Sequence, residues 1–320
     1  MSLVRGNEGP AEGLAAEPPL TRAGLRAWPR GTWIVALVAG ALGCGAPRET
    51  GTTAGGLHYE IGGRGEPVVL LHGFSLDSRM WDSQFDLLER DFRTVRYDLR
   101  GHGESADAGA AFYHHEDLRE LLDELDVGRA ALVGLSLGAE VAIDFALQYP
   151  ERVASLVLAS PGLGGYRPQG GFEWMGDVMS ALQTGDAREA TRAWVETPLM
   201  RIEDPAADSV MELIVMSNWE VWTGDPSLIR RIDPPAIGRL AELSVPTLVI
   251  IGGTDLIDTG LVADTLMACV PGAERMTVPG VGHLVNLAAP DAFNEVVRRF
   301  LTTTPAAGST TPAAGSGCAS

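Results

Sequence analysis

The sequence predicts an α/β architecture, a mostly parallel sheet with helices on both faces. Three observations carry the prediction. Short, continuous apolar runs recur at 68–71, 94–97, 131–134, 155–158 and 247–251, as expected of strands covered on both sides. Segments of helical periodicity alternate with them, the pattern of an α/β sheet. The 39 glycines among 320 residues suit a fold with many tight turns, and ligands of such a sheet bind at the carboxyl ends of its strands.

The chain begins with a segment that reads as a leader rather than as part of the fold. Arg22, Arg26 and Arg30 precede a short apolar stretch over 32–43, a basic-then-apolar order typical of a secretory signal and too short for a permanent bilayer span. Ala41-Leu42-Gly43-Cys44 resembles the lipobox of bacterial lipoproteins. Ala41 departs from that pattern, where a larger aliphatic residue is usual, and the lead before the apolar stretch is long. The resemblance implies a signal peptide over 1–43, lipidation of Cys44 and an extracytoplasmic, membrane-anchored protein. Cleaved soluble secretion and an uncleaved anchor are the alternatives. Residues 44–56 then read as a linker.

The folded body is expected over 57–162 and 244–301, with His58 on its first strand. Leu118, Leu121, Leu122 and Leu125 lie at i, i+3, i+4 and i+7 and make one apolar helical stripe. His114 and His115 open that helix and read as solvated. Residues 138–149 are helical and stop before Pro150. The strand–helix rhythm breaks between 162 and 243, where Trp174, Trp194, Trp219 and Trp222 fall among helical patterns interrupted by prolines. A helical cap over 163–243 is expected above the strand ends, its aromatics forming its own core and one or two lining an apolar pocket. Cys269 sits at helical spacing with Leu261, Val262 and Leu266 and reads as a core thiol. Residues 291–301 make a last helix with Phe293, Val296, Val297 and Phe300 on one face. Beyond 301, Thr-Thr-Pro-Ala-Ala-Gly-Ser occurs twice in succession, and 302–320 reads as a disordered tail.

Composition narrows the function. A net charge of −18 argues against nucleic acid and anionic membrane surfaces as partners. Three cysteines form no disulfide framework, and no metal-ligand spacing occurs; neither a metal nor another cofactor is expected.

Ser136 carries the chemistry. It sits in Gly134-Leu135-Ser136-Leu137-Gly138, between an apolar strand run and a helical stretch, where a sharp turn pushes the hydroxyl out of the sheet. A serine is a poor nucleophile at neutral pH and needs a base to take its proton. His283, in a loop before the last helix, is the candidate base, since imidazole titrates near the working pH. Asp255 would orient the ring, with Asp258 as the fallback acid. The backbone N–H of Leu137 is one donor for the developing oxyanion, and losing such a donor typically costs about 3–4 kcal/mol.

Together these residues carry a resemblance. From about Leu57 to Leu301 the chain resembles the cap-bearing, serine-nucleophile branch of the α/β-hydrolase superfamily. Four segments match in order: His72-Gly73-Phe74, the stretch from Tyr97-Asp98-Leu99-Arg100-Gly101-His102-Gly103 to Ser105, the turn around Ser136, and Gly280-Val281-Gly282-His283. Gly252-Gly253-Thr254-Asp255 matches the acid-bearing loop after a strand. The resemblance implies an α/β-hydrolase fold with a cap inserted before the acid-bearing strand, and the Phe74 amide as second oxyanion donor. It implies structural roles for His72, Asp98 and His102. A looser similarity, from Met80-Trp81 onward, points to 3-oxoadipate enol-lactonases and carboxylesterases. The expected function is a serine hydrolase that cleaves a carboxylic ester or lactone of a small, apolar acyl substrate through an acyl-enzyme on Ser136. Serine in the elbow, where relatives that open epoxides or displace halide carry aspartate, argues against those reactions. Leu137 departs from the tryptophan usual in proline iminopeptidases. Thioester cleavage, carbon–carbon bond hydrolysis and cofactor-free perhydrolysis use the same triad and stay open. So does a receptor-like protein that binds its ligand under the cap.

Overall fold

The computed structural model describes residues 47–170 and 173–304. The expected signal peptide, Cys44 and all of the expected tail beyond Thr304 lie outside the described residues. Eight strands form one sheet: β1 (Glu49–Thr52), β2 (His58–Gly62), β3 (Pro67–Leu71), β4 (Arg93–Tyr97), β5 (Ala130–Leu135), β6 (Val153–Ala159), β7 (Thr247–Gly252) and β8 (Glu274–Val278). Their order across the sheet is β1-β2-β4-β3-β5-β6-β7-β8. β2 pairs antiparallel with both neighbours, and every pairing from β4 to β8 is parallel.

The five continuous apolar runs are the centre of this sheet, and alternate residues face opposite layers. Val69, Leu71, Leu132, Val249 and Ile251 pack into one core; Val68, Leu70, Val133, Leu248 and Ile250 pack into the other. Nine helices accompany the described strands. α1 (Asp82–Leu88) lies before β4, α2 (His114–Glu124) before β5, and α3 (Leu137–Gln148) directly after it. α4 (Gly176–Thr184), α5 (Ala187–Val195) and α6 (Pro205–Ser217) lie with short 3-10 turns between β6 and β7. α7 (Ile257–Cys269), α8 (Val285–Ala288) and α9 (Pro290–Thr303) complete the chain. The leucine stripe of α2 and the inward face of α3 fill one core, while α1, α9 and the inserted helices contribute to the other. None of these helices is long and apolar enough to cross a membrane.

Three expectations change. Glu49–Thr52, read as linker, is an edge strand that pairs with β2 from Glu49↔Ile61 to Thr52↔His58. Its polar sequence carries no apolar run because its residues are mostly exposed. His114 and His115, read as solvated, are buried, because the segment before α2 is covered where Phe112 pairs with the inserted segment at Leu228 and Arg230. Cys269, read as a core thiol, packs half-buried against the core but is disulfide-bonded.

Candidate active site

β5 ends at Leu135, and α3 begins at Leu137. Ser136 between them has φ 54° and ψ −111°, a left-handed conformation that a non-glycine residue adopts only under constraint. Its N–H donates to Ala159 O at 2.9 Å, and its carbonyl accepts from Ala139, Glu140 and Gly162. The turn fits because Gly138 lacks a side chain: a Cβ there would lie 2.1 Å from the carbonyl oxygen of Leu71. That close approach also brings the loop after β3, with Phe74, against the start of α3.

The other two candidates come from the ends of β7 and β8. A Cβ on Gly252 would lie 2.1 Å from the carbonyl oxygen of Gly282, so the loop bearing His283 rests directly on the end of β7. His283 Nδ1 is 3.0 Å and 3.1 Å from the two carboxylate oxygens of Asp255. Both side chains are buried. Burial alone would raise the Asp255 carboxyl; the charge and hydrogen bond of His283 and the Leu256 amide outweigh it and hold the group below its ordinary value. With Nδ1–H on the carboxylate, Nε2 keeps its lone pair; that atom is buried and makes no hydrogen bond. Asp258 is engaged elsewhere, accepting from Tyr166 and from the Gln169 and Gly170 amides.

The loop after β3 turns back on itself, with the Leu76 N–H donating to Gly73 O. Ser75 in that turn is fully buried at φ 62°, a strained position for serine that costs about 1–3 kcal/mol. Neither the Phe74 nor the Leu137 amide donates a hydrogen bond to any described residue. His72 is a strut. Its Nδ1–H donates to Gly73 O, its Nε2 accepts from the Leu99 N–H, and burial lowers its pKa. Asp98 accepts from the Ser78 and Glu104 amides and is likewise structural.

The inserted segment reaches the same loop by two side chains that sequence spacing gave no reason to single out. The Trp194 Nε1–H donates to Ser75 Oγ at 2.7 Å. Asn218, itself buried, donates to Asp77 Oδ2 and accepts from the Gly103 N–H, both at 2.7 Å. Phe74 stands edge-on to Trp194, Trp222 and His102, with ring centroids 5.1–5.9 Å apart. A cleft of about 560 Å³ lined by Pro198, Arg201, Ile202, Thr254, Val281 and Gly282 runs beside the His283 loop. Among the described residues no group of three or more His, Cys, Asp or Glu side chains is placed to hold a metal ion.

Comparison with known proteins identifies the family. The chain matches the model of the Alpha/beta hydrolase family over residues 68–296. It is 28% identical to a pimeloyl-[acyl-carrier protein] methyl ester esterase of Nitrosomonas europaea, over 74% of this chain and 96% of that protein. Among solved structures it resembles a thermophilic esterase from Thermogutta terrifontis, with TM-score 0.66 and 28% identity over 81% of this chain and 99% of that one. It also resembles the enol-lactonase from Burkholderia xenovorans LB400, with TM-score 0.67 and 26% identity over 79% and 100% of the two chains.

Proposed function

The chain belongs to the alpha/beta hydrolase family, an enzyme class whose members include esterases and lactonases, and we propose that it cleaves a carboxylic ester or lactone through an acyl-enzyme on Ser136. The observation that carries the proposal is a strained serine after β5 at the same carboxyl edge of the parallel strands as an imidazole bound to a carboxylate after β7 and β8.

In the proposed reaction Ser136 Oγ attacks the acyl carbon while His283 Nε2 takes its proton. Asp255 holds the Nδ1–H tautomer and stabilises the imidazolium. The amides of Phe74 and Leu137 receive the carbonyl oxygen as it becomes an oxyanion. Collapse breaks the carbon–oxygen bond, and His283 returns the proton to the leaving oxygen. For a lactone that oxygen stays on the acyl chain as a hydroxyl. A water, deprotonated by His283, then attacks the acyl-enzyme and frees the carboxylic acid and Ser136. The rings of Phe74, Trp194 and Trp222 pack against one another around the loop that bears the proposed oxyanion donor, and this apolar surround favours an apolar acyl group.

The test is turnover of p-nitrophenyl esters from acetate to dodecanoate, and of simple lactones, by the purified chain and its Ser136→Ala variant. Turnover confined to the unmodified chain is expected, and its chain-length optimum sizes the pocket. Equal turnover by the variant would overturn the mechanism.

A further inference from the structure

We propose that Trp194, from the segment inserted between β6 and β7, is a positioning residue for the oxyanion hole, so that seating of the insert is part of catalysis. The inference rests on the proposed serine-hydrolase reading and adds to it a residue outside the triad.

The hydrogen bond from Trp194 Nε1 to Ser75 Oγ at 2.7 Å is buried at both ends. Ser75 lies in the turn closed by Gly73 and Leu76 and holds φ 62°. A serine has no intrinsic preference for that conformation, so something outside the turn must hold it there. Ser75 Oγ receives the indole N–H, and the ring of the preceding Phe74 stands edge-on to the same indole at 5.8 Å. Trp194 therefore grips two consecutive residues of the turn, one by its N–H and one by its ring. The amide of Phe74 is the proposed oxyanion donor, and a donor serves catalysis only when fixed before charge develops. Asn218 secures the next part of the loop at Asp77, so the insert contacts this loop at two separate points. An insert that served only to enclose substrate would need contacts with substrate, not a hydrogen bond to the back of the oxyanion turn.

The test compares Trp194→Phe, Ser75→Ala and the double variant with the unmodified chain. Trp194→Phe keeps a ring against Phe74 and removes the N–H; Ser75→Ala removes the acceptor. Two readouts are used: kcat and KM on the best p-nitrophenyl ester, and the rate at which a fluorophosphonate labels Ser136, which also needs the oxyanion hole. We expect each single variant to lower kcat and the labelling rate roughly tenfold to a hundredfold, with KM within about twofold. The double variant should lose no more than the worse single one, because both remove the same hydrogen bond. Unchanged kcat in a folded Ser75→Ala protein, a change confined to KM, or losses that multiply in the double variant would each overturn the proposal. An unmodified chain that neither turns over esters nor labels would instead overturn the serine-hydrolase reading itself.

Discussion

At Ser136 the backbone is bent into a conformation that serine resists, and the bend is held by four backbone hydrogen bonds and by the packing of Gly138 against β3. The proposed triad chemistry is thus set by neighbours as much as by the three side chains. Asp255 shows this most directly. It is buried yet held ionised because His283 and the Leu256 amide face it. Replacing it by asparagine keeps the volume but presents an amide that can donate, which favours the wrong imidazole tautomer. We expect Asp255→Asn to lower kcat on a p-nitrophenyl ester about 10³–10⁴-fold with little change in thermal midpoint. A rate within tenfold of the unmodified chain would show that another acid serves His283. These three residues were legible in the sequence because an elbow serine, a post-strand aspartate and a loop histidine each carry a local signature. Ser75, Trp194 and Asn218 were not. Their contacts join residues more than a hundred positions apart, and no spacing rule reaches that far.

Among the elements, α3 does two jobs, presenting Ser136 at its start and sealing one face of the sheet along its length. It also carries Asp144, a buried carboxylate with Oδ1 unpartnered. Burial raises its pKa from 3.8 to about 7, with only Arg239 pulling it back. The folded state therefore keeps a proton that the unfolded chain has already released. The contribution of Asp144 to stability falls as pH rises from about 4 to about 7, by on the order of 4 kcal/mol in total, and is flat above that. Asp144→Asn should remove this decline, so the variant gains thermal midpoint over the unmodified chain at pH 7.5 and not at pH 4. A constant difference between the two proteins across that range would show that Asp144 does not titrate in this way. The central strands were legible because burial on both faces forces continuous apolar runs. β1 and β8 at the sheet edges were missed for the converse reason: each has most of its residues exposed and so has a polar sequence. The α2 leucine stripe was found from its period, while the burial of His114 depends on a distant pairing between Phe112 and Arg230.

For the molecule as a whole, the buried histidines contribute to the acid side of stability, alongside the paired carboxylates of Asp77 and Asp255. Burial, then the neighbouring His72, pushes His102 and His114 each down to about 3. Both are neutral when folded, while the unfolded chain takes up a proton near the ordinary value of 6.5. Their contribution is complete above that pH and is lost as pH falls toward 3, roughly 2 kcal/mol each by pH 5. Asp144 acts in the opposite sense over part of this range, so a variant isolates the effect better than the profile of the unmodified chain. His114→Gln should show a shallower fall of thermal midpoint from pH 6.5 to 4.5, and an identical slope would rule out His114 as a contributor. The strand order has a further consequence. The proposed nucleophile, acid and base follow β5, β7 and β8, and β8 is an edge strand that pairs with β7 alone. A nascent or partly threaded chain can present Ser136 long before His283 has anywhere to dock. On the proposed mechanism such a chain holds a nucleophile without its base, and competence follows only when the segment after the last strand has docked.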